Sequence, residues 1–543
     1  MDTRRLILFV IFSFSIMLLW DAWQQQSSPQ QPTSVEQIAS DPASVAPAVS
    51  GNDTVNASDF SLKKGTRIHV KTDVYTAEID SHGGDLRQLY LLQHRADDNS
   101  GPYELLSDQH ADKLYVVQTG LKGEGLPTHH AEYTSAQTSY ALADGQDVLE
   151  VRLSAPENNG IMVNKVYRFH RGQYQIDVIY EVTNQSQQSI SPSVYYQIIH
   201  DNQSNQGSMM MPTFTGGAYY TEADKYNKIK FEEMAKKDMA ITAKDGWIGL
   251  VQHYFVSAWI PGTAGERKFY STQLSEHDYS IGSLQSLGNI APGQNKTVTA
   301  TLYSGPQSHD ALEQAAPGLE YVVDYGVLTV IAKPLMWLLT HIHDLVKNWG
   351  VAIIVLTLLI KAAFFKLSAS GYRNMAHLRE IAPRMQALKD KFGDDKQKLQ
   401  QAMMEIYRTE KINPMGGCLP ILVQIPVFIS LYWVLLGSVE LRHAPFFGWI
   451  QDLSATDPYY ILPILMGATM IIQTFLNPPP TDPIQAKVMK VMPVMFSVFF
   501  FFFPAGLVLY WLVNNVLSIW QQWAINRMIH AEALAKKGHG KAA

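Results

Sequence analysis

The residue best placed to do chemistry is Lys361, which lies inside an apolar run that begins at Trp349. Twelve residues separate the two positions, about 18 Å at the helical rise, so Lys361 would lie past the midplane of a membrane span. A lysine at the centre of a span costs roughly 2.5–3.5 kcal/mol on insertion scales. Two interpretations stay open. Either the long side chain reaches the lipid headgroups, or the ammonium group lies in a water-filled cavity between helices.

Other polar residues interrupt the neighbouring apolar runs and favour the second interpretation. Any one of them alone is typical of a hydrogen bond between membrane helices. Together with Lys361 they would line a hydrated groove that shortens the apolar path of a translocating polar segment, and the lysine would attract acidic residues of that segment. The predicted lining comprises Gln424, Thr469, Gln473, Asn514, Asn515 and Ser518.

The other reactive residues form no comparable pattern. Cys418 is the only cysteine, which excludes an intrachain disulfide, and its glycine and leucine neighbours indicate a packing role. The sequence has no Walker motif and no glycine-rich nucleotide loop, so we expect no cofactor, no metal and no enzymatic reaction. Histidines and carboxylates in the large polar region have no spacing typical of a site: His69, Glu78, Asp80, His82 and His94.

Charge divides the chain into two parts. Residues 24–348 carry an excess of Asp and Glu in a mostly polar stretch, whereas the remainder carries an excess of Lys and Arg and holds the long apolar runs. This asymmetry indicates two compartments on either side of a membrane. The acidic balance of the large region argues against a DNA-binding protein.

The N-terminus combines Arg4 and Arg5 with an apolar run that ends at Trp20. Such a segment is either a cleavable signal peptide or an uncleaved signal anchor. The tryptophans Trp20 and Trp23, typical of a membrane interface, favour an anchor span over residues 1–23. Residues 24–58 are rich in Gln, Ser, Pro and Ala and are predicted to be a flexible tether.

Residues 59–323 alternate between apolar and polar positions, as at Ile176, Val178 and Tyr180. Turn signals such as Gly83-Gly84 separate the alternating runs. The pattern predicts a large antiparallel β-sandwich.

Residues 324–348 have helical spacing of apolar positions and predict an amphipathic helix in the membrane interface. The membrane core is predicted over 349–530, with a charged, methionine-rich helical hairpin at 368–412 and a short basic tail at 531–543. Together with the N-terminal anchor the apolar runs give six spans. The five spans of the core are predicted at about 349–367, 419–436, 459–476, 488–503 and 507–525.

Basic residues concentrate in the hairpin, in the loop that contains Lys487 and Lys490, and in the tail. Positively charged loops remain in the cytoplasm. The orientation predicted for a bacterial inner membrane therefore has both termini in the cytoplasm and the large β-domain in the periplasm.

Several long segments of the sequence resemble the YidC/Oxa/Alb family of membrane protein insertases. The resemblance extends over nearly the full length of the chain. They include 246–255 (GWIGLVQHYF), 331–335 (IAKPL), 413–420 (NPMGGCLP), 457–463 (DPYYILP) and 503–511 (FPAGLVLYW). The resemblance implies an insertase and chaperone for membrane proteins with a five-helix core, whose groove is open to cytoplasm and lipid but closed to the periplasm. It also implies a periplasmic supersandwich similar to sugar-mutarotase folds but without their catalysis.

The resemblance also implies roles for single residues. The family's groove arginine falls on Lys361, which keeps the charge but loses bidentate pairing, and its groove glutamine falls on Gln424. Nascent membrane proteins, ribosomes bound through the cytoplasmic loops and tail, the Sec translocon and the lipid bilayer are the implied partners. The implied substrate-contacting positions are Ile425, Pro426, Tyr510 and Trp511.

Two other functions stay open on the sequence alone. A secondary transporter would use Lys361 as a counter-charge, although the spans show no inverted repeat. A membrane-tethered carbohydrate enzyme would place its chemistry in the β-domain.

Overall fold

A computed structural model describes residues 62–110, 113–202, 213–262, 265–393, 395–410, 419–476 and 483–539. The predicted anchor at 1–23, the predicted tether at 24–58 and Cys418 lie outside these residues. The chain divides into two units. The sandwich unit comprises the described residues up to Asp324 with Gly437–Glu440, and the helical unit comprises the described residues of Tyr325–Leu436 and those from Leu441 onwards.

The sandwich unit is built from short and medium-length strands with little helix. Its helices are α1 (Phe231–Met234) and α2 (His309–Ala315), followed by a 3₁₀ turn at Leu319–Val322. The described strands are β1 (Arg67–Lys71), β2 (Tyr75–Asp80), β3 (Asp85–Arg95), β4 (Pro102–His110), β5 (Lys113–Lys122), β6 (Thr134–Ser135), β7 (Ser139–Ala141), β8 (Val148–Ser154), β9 (Ile161–His170), β10 (Gln175–Asn184), β11 (Ser193–Asp201), β12 (Gly216–Thr221), β13 (Lys225–Ile229), β14 (Met239–Ala243), β15 (Trp247–Val251), β16 (Phe255–Pro261), β17 (Arg267–Gln273), β18 (Asp278–Ser286) and β19 (Asn295–Pro306).

The strands form two sheets. One sheet has ten strands in the order β14-β17-β18-β11-β5-β4-β3-β2-β1-β7, and the other has nine in the order β13-β12-β15-β16-β19-β10-β9-β8-β6. The alternation predicted from the sequence produces the core between them: on β10 the side chains of Ile176, Val178 and Tyr180 are fully buried, whereas Asp177 and Glu181 are not. The predicted β-sandwich is confirmed.

One pairing differs from the all-antiparallel prediction. Edge strand β7 pairs with β1 in parallel, with His69 opposite Ser139 and Lys71 opposite Ala141. The two strands are far apart in the chain, so their relative direction is not fixed by a hairpin turn.

A buried lysine holds the turn before β3. Lys165 on β9 is fully buried, and its Nζ donates to the carbonyl oxygens of Gly83 at 2.8 Å, Gly84 at 2.9 Å and Thr119 at 3.2 Å. Both glycines have positive φ, 79° and 58°, a conformation that turns their carbonyls towards the lysine and that suits glycine. Burial lowers the pKa of Lys165 to about 7, against the opposing attraction of Asp85.

The helical unit follows the apolar runs of the sequence. After a 3₁₀ turn at Gly326–Leu328 its helices are α3 (Thr329–Val346), α4 (Trp349–Ala363), α5 (Phe365–Phe392), α6 (Lys396–Thr409), α7 (Leu419–Gly437), α8 (Ile461–Leu476), α9 (Pro483–Phe499) and α10 (Ala505–His539), with 3₁₀ turns at Val439–Leu441, assigned in part to the sandwich unit, and Phe500–Phe502.

Two predicted span borders differ from the helices. The segment predicted as one span over 349–367 is interrupted at Phe364, where α4 ends and α5 begins at an angle of 66°. The last segment, predicted over 507–525, lies within a longer helix that runs from Ala505 to His539. Both differences have the same cause. Hydropathy predicts where a run of apolar residues ends, whereas a helix ends where its backbone hydrogen bonds end.

No single helix among the described residues combines the length and the apolar composition needed to cross a membrane. The bent pair formed by Trp349–Ala363 and Phe365–Leu378 meets both conditions jointly. Shorter apolar helical stretches are Val423–Gly437, Ile461–Leu476 and Val491–Phe502.

Helix α3 lies within residues 324–348, where the sequence predicts an amphipathic interfacial helix, and it exposes large apolar side chains. Ala332 and Leu339 are fully buried on one side, whereas Val330, Trp337 and Leu345 are exposed on the other. The hairpin of α5 and α6 closes on its own small core around Ile381 and Met385, against Leu378, Met403, Ile406 and Tyr407.

Candidate functional site in the helical unit

Lys361 lies in the last turn of α4, with its ammonium group directed at α10. The residue is only 6% exposed, and Nζ donates to Ser518 Oγ at 2.8 Å. At the other end of α4 the Asn348 side chain caps the helix by accepting from the Val351 N–H at 3.0 Å. The cation therefore lies between helices and does not extend to the protein surface.

Ser518 connects the lysine to the rest of α10. Its hydroxyl donates to the Asn514 backbone carbonyl at 2.7 Å while it accepts from Lys361. One buried serine thus connects α4 to α10 at the position of the charge.

The neighbouring amides form two further pairs across helices. Gln424 Nε2 on α7 donates to Asn514 Oδ1 at 2.8 Å. Asn515 Nδ2 lies 3.4 Å from Thr469 Oγ1 on α8. Because Asn514 and Asn515 are consecutive, α10 directs one amide to α7 and the next to α8. Helix α10 therefore supplies the polar partners of both neighbouring helices.

The structure brings most of the predicted lining together but not all of it. Lys361, Ser518, Asn514 and Gln424 form one connected set, and Asn515 with Thr469 forms a second. Gln473 lies one turn beyond Thr469, half-buried, and makes no hydrogen bond with the described part of the chain that would join it to either set.

The predicted substrate-contacting positions differ in exposure. Ile425 is 43% exposed, and Pro426 is half-buried. Tyr510 is buried and Trp511 is half-buried, and both rings lie against Phe428, with centroids at 6.2 Å and 4.3 Å. Only Ile425 is therefore open to a partner without movement of its neighbours.

Sequence reasoning missed two buried glutamines on α10. Gln521 and Gln522 are 4% and 2% exposed, and Gln522 Nε2 donates to the Leu476 carbonyl, at the end of α8, at 3.2 Å. They follow Ser518 by three and four residues, which is the spacing of one helix face. That spacing was the available signal, and it extends the polar stripe of α10 towards the C-terminus.

The sequence analysis also predicted no role for the buried aspartate Asp457. Asp457 accepts from Trp449 Nε1 at 3.1 Å and, through its other oxygen, from the Leu462 N–H at 2.7 Å at the start of α8. It therefore caps the helix that carries Thr469, and the Asp-Pro pair before an apolar run was the signal for it.

The polar residues of the sandwich unit that a carbohydrate enzyme would need do not converge. His69 pairs with Glu78 at 3.2 Å, whereas His82 pairs with Glu132 at 2.7 Å. Asp80 pairs with Arg67, and His94 packs against the rings of Tyr174 and Phe255. Among the described residues no group of three or more His, Cys, Asp or Glu could hold a metal ion.

Comparison with known proteins assigns the family. Residues 67–338 match the family described as the YidC periplasmic domain, and residues 341–532 match the one described as the 60Kd inner membrane protein. The chain is 61% identical to the membrane protein insertase YidC of Methylobacillus flagellatus over the full length of both proteins. The chain belongs to the YidC family of membrane protein insertases. YidC of Aromatoleum aromaticum is 51% identical, over 99% of this chain and 100% of that protein.

The family assignment makes the chain an inner-membrane protein with a periplasmic domain, and it gives no support to a secondary transporter. Among solved structures, an active YidC insertase crystal structure matches 84% of this chain and 92% of its own, with 18% identity and a TM-score of 0.39. A galactose mutarotase related enzyme from Lactobacillus acidophilus matches 44% of this chain and 97% of its own, with 8% identity and a TM-score of 0.32.

Proposed function

We propose that this YidC-family chain inserts nascent membrane proteins through a groove whose polar wall is the connected set of Lys361, Ser518, Asn514 and Gln424. The observation that carries the proposal is the buried ammonium group of Lys361, bound to one hydroxyl. A lysine ammonium has three N–H donors. Within the described residues the structure gives it one side-chain acceptor, Ser518, so its other donors would be available to an acidic or polar group of a substrate.

The groove lowers the cost of bringing polar groups into the membrane. An acidic segment of the substrate binds near Lys361, and its backbone forms hydrogen bonds with the side-chain amides of Gln424 and Asn514. The adjoining apolar segment then leaves past the exposed Ile425 into lipid. The transfer of apolar side chains from water into lipid contributes about 0.8 kcal/mol per buried CH₂. The membrane potential contributes about 2.3 kcal/mol per charge per 100 mV. Together they supply the energy, so no nucleotide is needed.

The departure from the family's arginine affects how the substrate is held. Lysine keeps the positive charge but binds a carboxylate as a point charge and not through two parallel hydrogen bonds. Insertion therefore depends on attraction and on position, and a guanidinium at 361 should serve at least as well.

The finer topology is part of the proposal. It has six spans, with five of them in the core, an interfacial α3, both termini in the cytoplasm and the sandwich unit in the periplasm. The basic loops and tail support this orientation. Because Cys418 is the only native cysteine, a Cys418→Ser chain with single cysteines placed at 2, 395 and 541 would react with a membrane-impermeant thiol reagent only from the cytoplasmic side. Labelling from the periplasm at any of them would contradict the orientation.

The hairpin of α5 and α6 and the tail at 531–543 are proposed to contact the ribosome, and the protein is proposed to act alone or beside the Sec translocon. The hairpin carries basic residues on its outside and exposes Met404, which is 63% exposed. Methionine repacks easily against different apolar partners, which suits a surface that meets changing nascent chains.

The test compares Lys361→Arg, Lys361→Gln and Lys361→Glu, each purified as the full chain in liposomes. The substrate is a short single-span protein with an acidic exported tail, and a matched substrate has a neutral tail. We expect insertion of the acidic-tail substrate to persist with arginine, weaken with glutamine and fail with glutamate, while the neutral-tail substrate changes little. Lys347→Gln, at an exposed helix end, is the control. Equal insertion by all three variants would show that Lys361 does not attract the substrate.

A further inference from the structure

Strand β3 of the sandwich unit contains a bulge at an arginine. Ile79 on β2 lies opposite Leu86, but the preceding residue, Glu78, lies opposite Gln88. Arg87, between the two partners on β3, is therefore the extra residue. Leu86 belongs to the core between the sheets, and successive residues of a strand face opposite sides, so Arg87 faces away from that core. A bulge re-aims the side chain that it carries, and bulges are frequent next to functional sites.

The Arg87 guanidinium is buried but only partly bound. Its side chain is 1% exposed, and Nη2 donates to Asp85 Oδ2 at 3.0 Å. Nε and Nη1 are buried as well, and within the part of the chain that the structure describes they have no hydrogen-bond acceptor. A buried donor of a charged group is costly to leave without an acceptor. Two such donors on one guanidinium indicate that a further group binds there.

The carboxylate beside the arginine lacks a donor. Asp85 is fully buried, and its Oδ2 accepts from Arg87 and, at 2.8 Å, from Gln118 Nε2. Its Oδ1 is buried and has no donor among the described residues. Burial raises the pKa of Asp85 to about 6, against the attraction of Arg87 and Lys165. Above that pH the second oxygen is therefore an ionised acceptor next to the unused donors of the guanidinium.

Histidines lie between this pair and the protein surface. Burial lowers the pKa of His129 to about 3, and nearby positive groups, Arg87 among them, lower it further. The His130 ring lies 4.0 Å from the His129 ring and 6.3 Å from the His82 ring. His82 Nδ1 lies 2.7 Å from Glu132, and its buried Nε2 has no partner in the described chain. Because His130 and Glu132 are exposed, this loop is the side from which a small ion reaches the pair.

We propose that Arg87 and Asp85 form a binding site for inorganic phosphate. The free N–H groups of Arg87 donate to phosphate oxygens, which a guanidinium matches in geometry and in charge. The hydroxyl group of the phosphate donates to Asp85 Oδ1. This second bond makes the site selective, because a carboxylate oxygen accepts only from an oxyanion that still carries a proton. Inorganic phosphate carries one at neutral pH, whereas sulfate carries none.

The burial and the charges of the site favour a small free ion. Asp85 and Arg87 are 0% and 1% exposed, so a group bound between them is enclosed, and a phosphate attached to a lipid chain does not fit. The Lys165 ammonium group acts on Asp85 through its charge. Its own N–H donors are used by carbonyl oxygens of the fold, so it offsets the charge of the ion without binding it. The site lies in the sandwich unit and is independent of the groove.

The first experiment ranks three anions on the purified wild-type chain in detergent, by isothermal titration calorimetry at constant ionic strength. The probes are potassium phosphate, potassium sulfate and glycerol 3-phosphate. At about pH 8 a phosphate monoester has lost its second proton, so only inorganic phosphate can donate to Asp85. We expect saturable phosphate binding, with the other two anions at least about tenfold weaker, the loss of one hydrogen bond to a charged group. No saturable binding, or equal binding of sulfate, would overturn the proposal. Equal binding of glycerol 3-phosphate would overturn the assignment to the free ion.

Three variants then test the role of each side chain. Arg87→Gln should weaken phosphate binding at least about tenfold, because it removes charge-assisted donors. Asp85→Asn replaces an acceptor with an amide that can also donate, so it should bind sulfate as tightly as phosphate. Arg168→Gln is the matched control, since Arg168 pairs with Glu150 and its side chain is 44% exposed, and it should bind phosphate as the wild type does.

Far-ultraviolet circular dichroism and thermal unfolding show which variants are folded. Unchanged phosphate affinity in folded Arg87→Gln, or an undiminished preference for phosphate over sulfate in folded Asp85→Asn, contradicts the assigned roles and overturns the site. If either variant fails to fold, the ranking of the three anions by the wild-type chain still decides, because it requires no substitution.

Discussion

Each unit of the chain buries a lysine, and the two ammonium groups have very different surroundings. In the sandwich unit Lys165 donates to the carbonyl oxygens of Gly83, Gly84 and Thr119. It also lies over three aromatic faces, with Nζ 5.3–5.8 Å from the ring centroids of Tyr133, Tyr180 and Tyr167. All three N–H donors have an acceptor, so the cation is part of the fold.

In the helical unit Lys361 is nearly as buried, but the hydrogen bond that the structure gives its ammonium group within the described residues goes to Ser518. Taking a charge out of water costs several kcal/mol unless partners replace the water. An ammonium group with acceptors for all its donors is held within the structure, whereas one with donors to spare can bind a passing acidic group. The comparison therefore separates a structural lysine from the lysine proposed to bind substrate better than burial does.

Removal of the structural lysine should have the largest effect. Lys165→Met removes a donor from three buried carbonyls, of which only that of Gly84 is recorded with a second side-chain donor, the Tyr167 hydroxyl at 2.6 Å. An unsatisfied buried acceptor costs about 1–3 kcal/mol, so we expect the sandwich unit to lose about 2 kcal/mol or more of its free energy of unfolding. Hydrogen exchange of the strand amides in increasing urea measures it. Lys361→Met is the matched control and should leave those amides unchanged. If both variants destabilise the sandwich equally, the contrast between the two lysines is wrong.

The position of Lys361, the lysine proposed to bind substrate, depends on Ser518. Ser518→Ala removes a hydrogen bond to a charged group, worth about 1.5–3 kcal/mol, and we expect insertion of the acidic-tail substrate to fall about tenfold. Ser518→Thr keeps the hydroxyl and should restore most of it. The decisive readout is the ratio of insertion rates for acidic-tail and neutral-tail substrates. A merely structural serine would lower both rates together and leave that ratio unchanged.

The titration of Lys165 gives a pH dependence to the sandwich unit. Burial lowers its pKa from 10.5 to about 7, so between these values the unfolded chain holds more protons than the folded one. Stability must then rise with pH through this window, by at most about 1.4 kcal/mol per pH unit. The slope should appear in the difference between the wild type and Lys165→Met. A falling or flat difference would mean that the folded lysine keeps its proton up to its ordinary pKa.

The smallest effect is expected for an exposed cation of the same sheet. Arg152 on β8 pairs with Glu181 on β10, across the intervening strand β9, and both side chains are well exposed, 49% and 36%. Ion pairs in such surroundings contribute about 0.2–1 kcal/mol, so Arg152→Ala should change the free energy of unfolding by no more than that. If Arg152→Ala lowers the free energy of unfolding as much as Lys165→Met does, then burial and a full set of hydrogen-bond acceptors are not what distinguishes Lys165.

Local patterns in the sequence were enough for much of the architecture. The alternation at Ile176, Val178 and Tyr180 predicted strands, because a strand repeats every two residues and exposes one face to the core. Helical spacing predicted α3 and the hairpin, where Asp395 caps α6 by accepting from the Lys398 N–H at 3.1 Å. The place of Lys361 within an apolar run was likewise visible without a structure.

The sequence by itself therefore determined which segments are strands and helices and which polar residues are set into apolar surroundings. The tertiary structure alone decided their partners. Ser518 lies 157 residues from Lys361, the three acceptors of Lys165 lie 46, 81 and 82 residues earlier, and β7 joins β1 in parallel. Periodicity is a property of neighbouring residues and can be read along the chain. Whether a buried ammonium group finds three acceptors or one depends on which distant backbone or side-chain oxygens the packing brings within hydrogen-bonding distance.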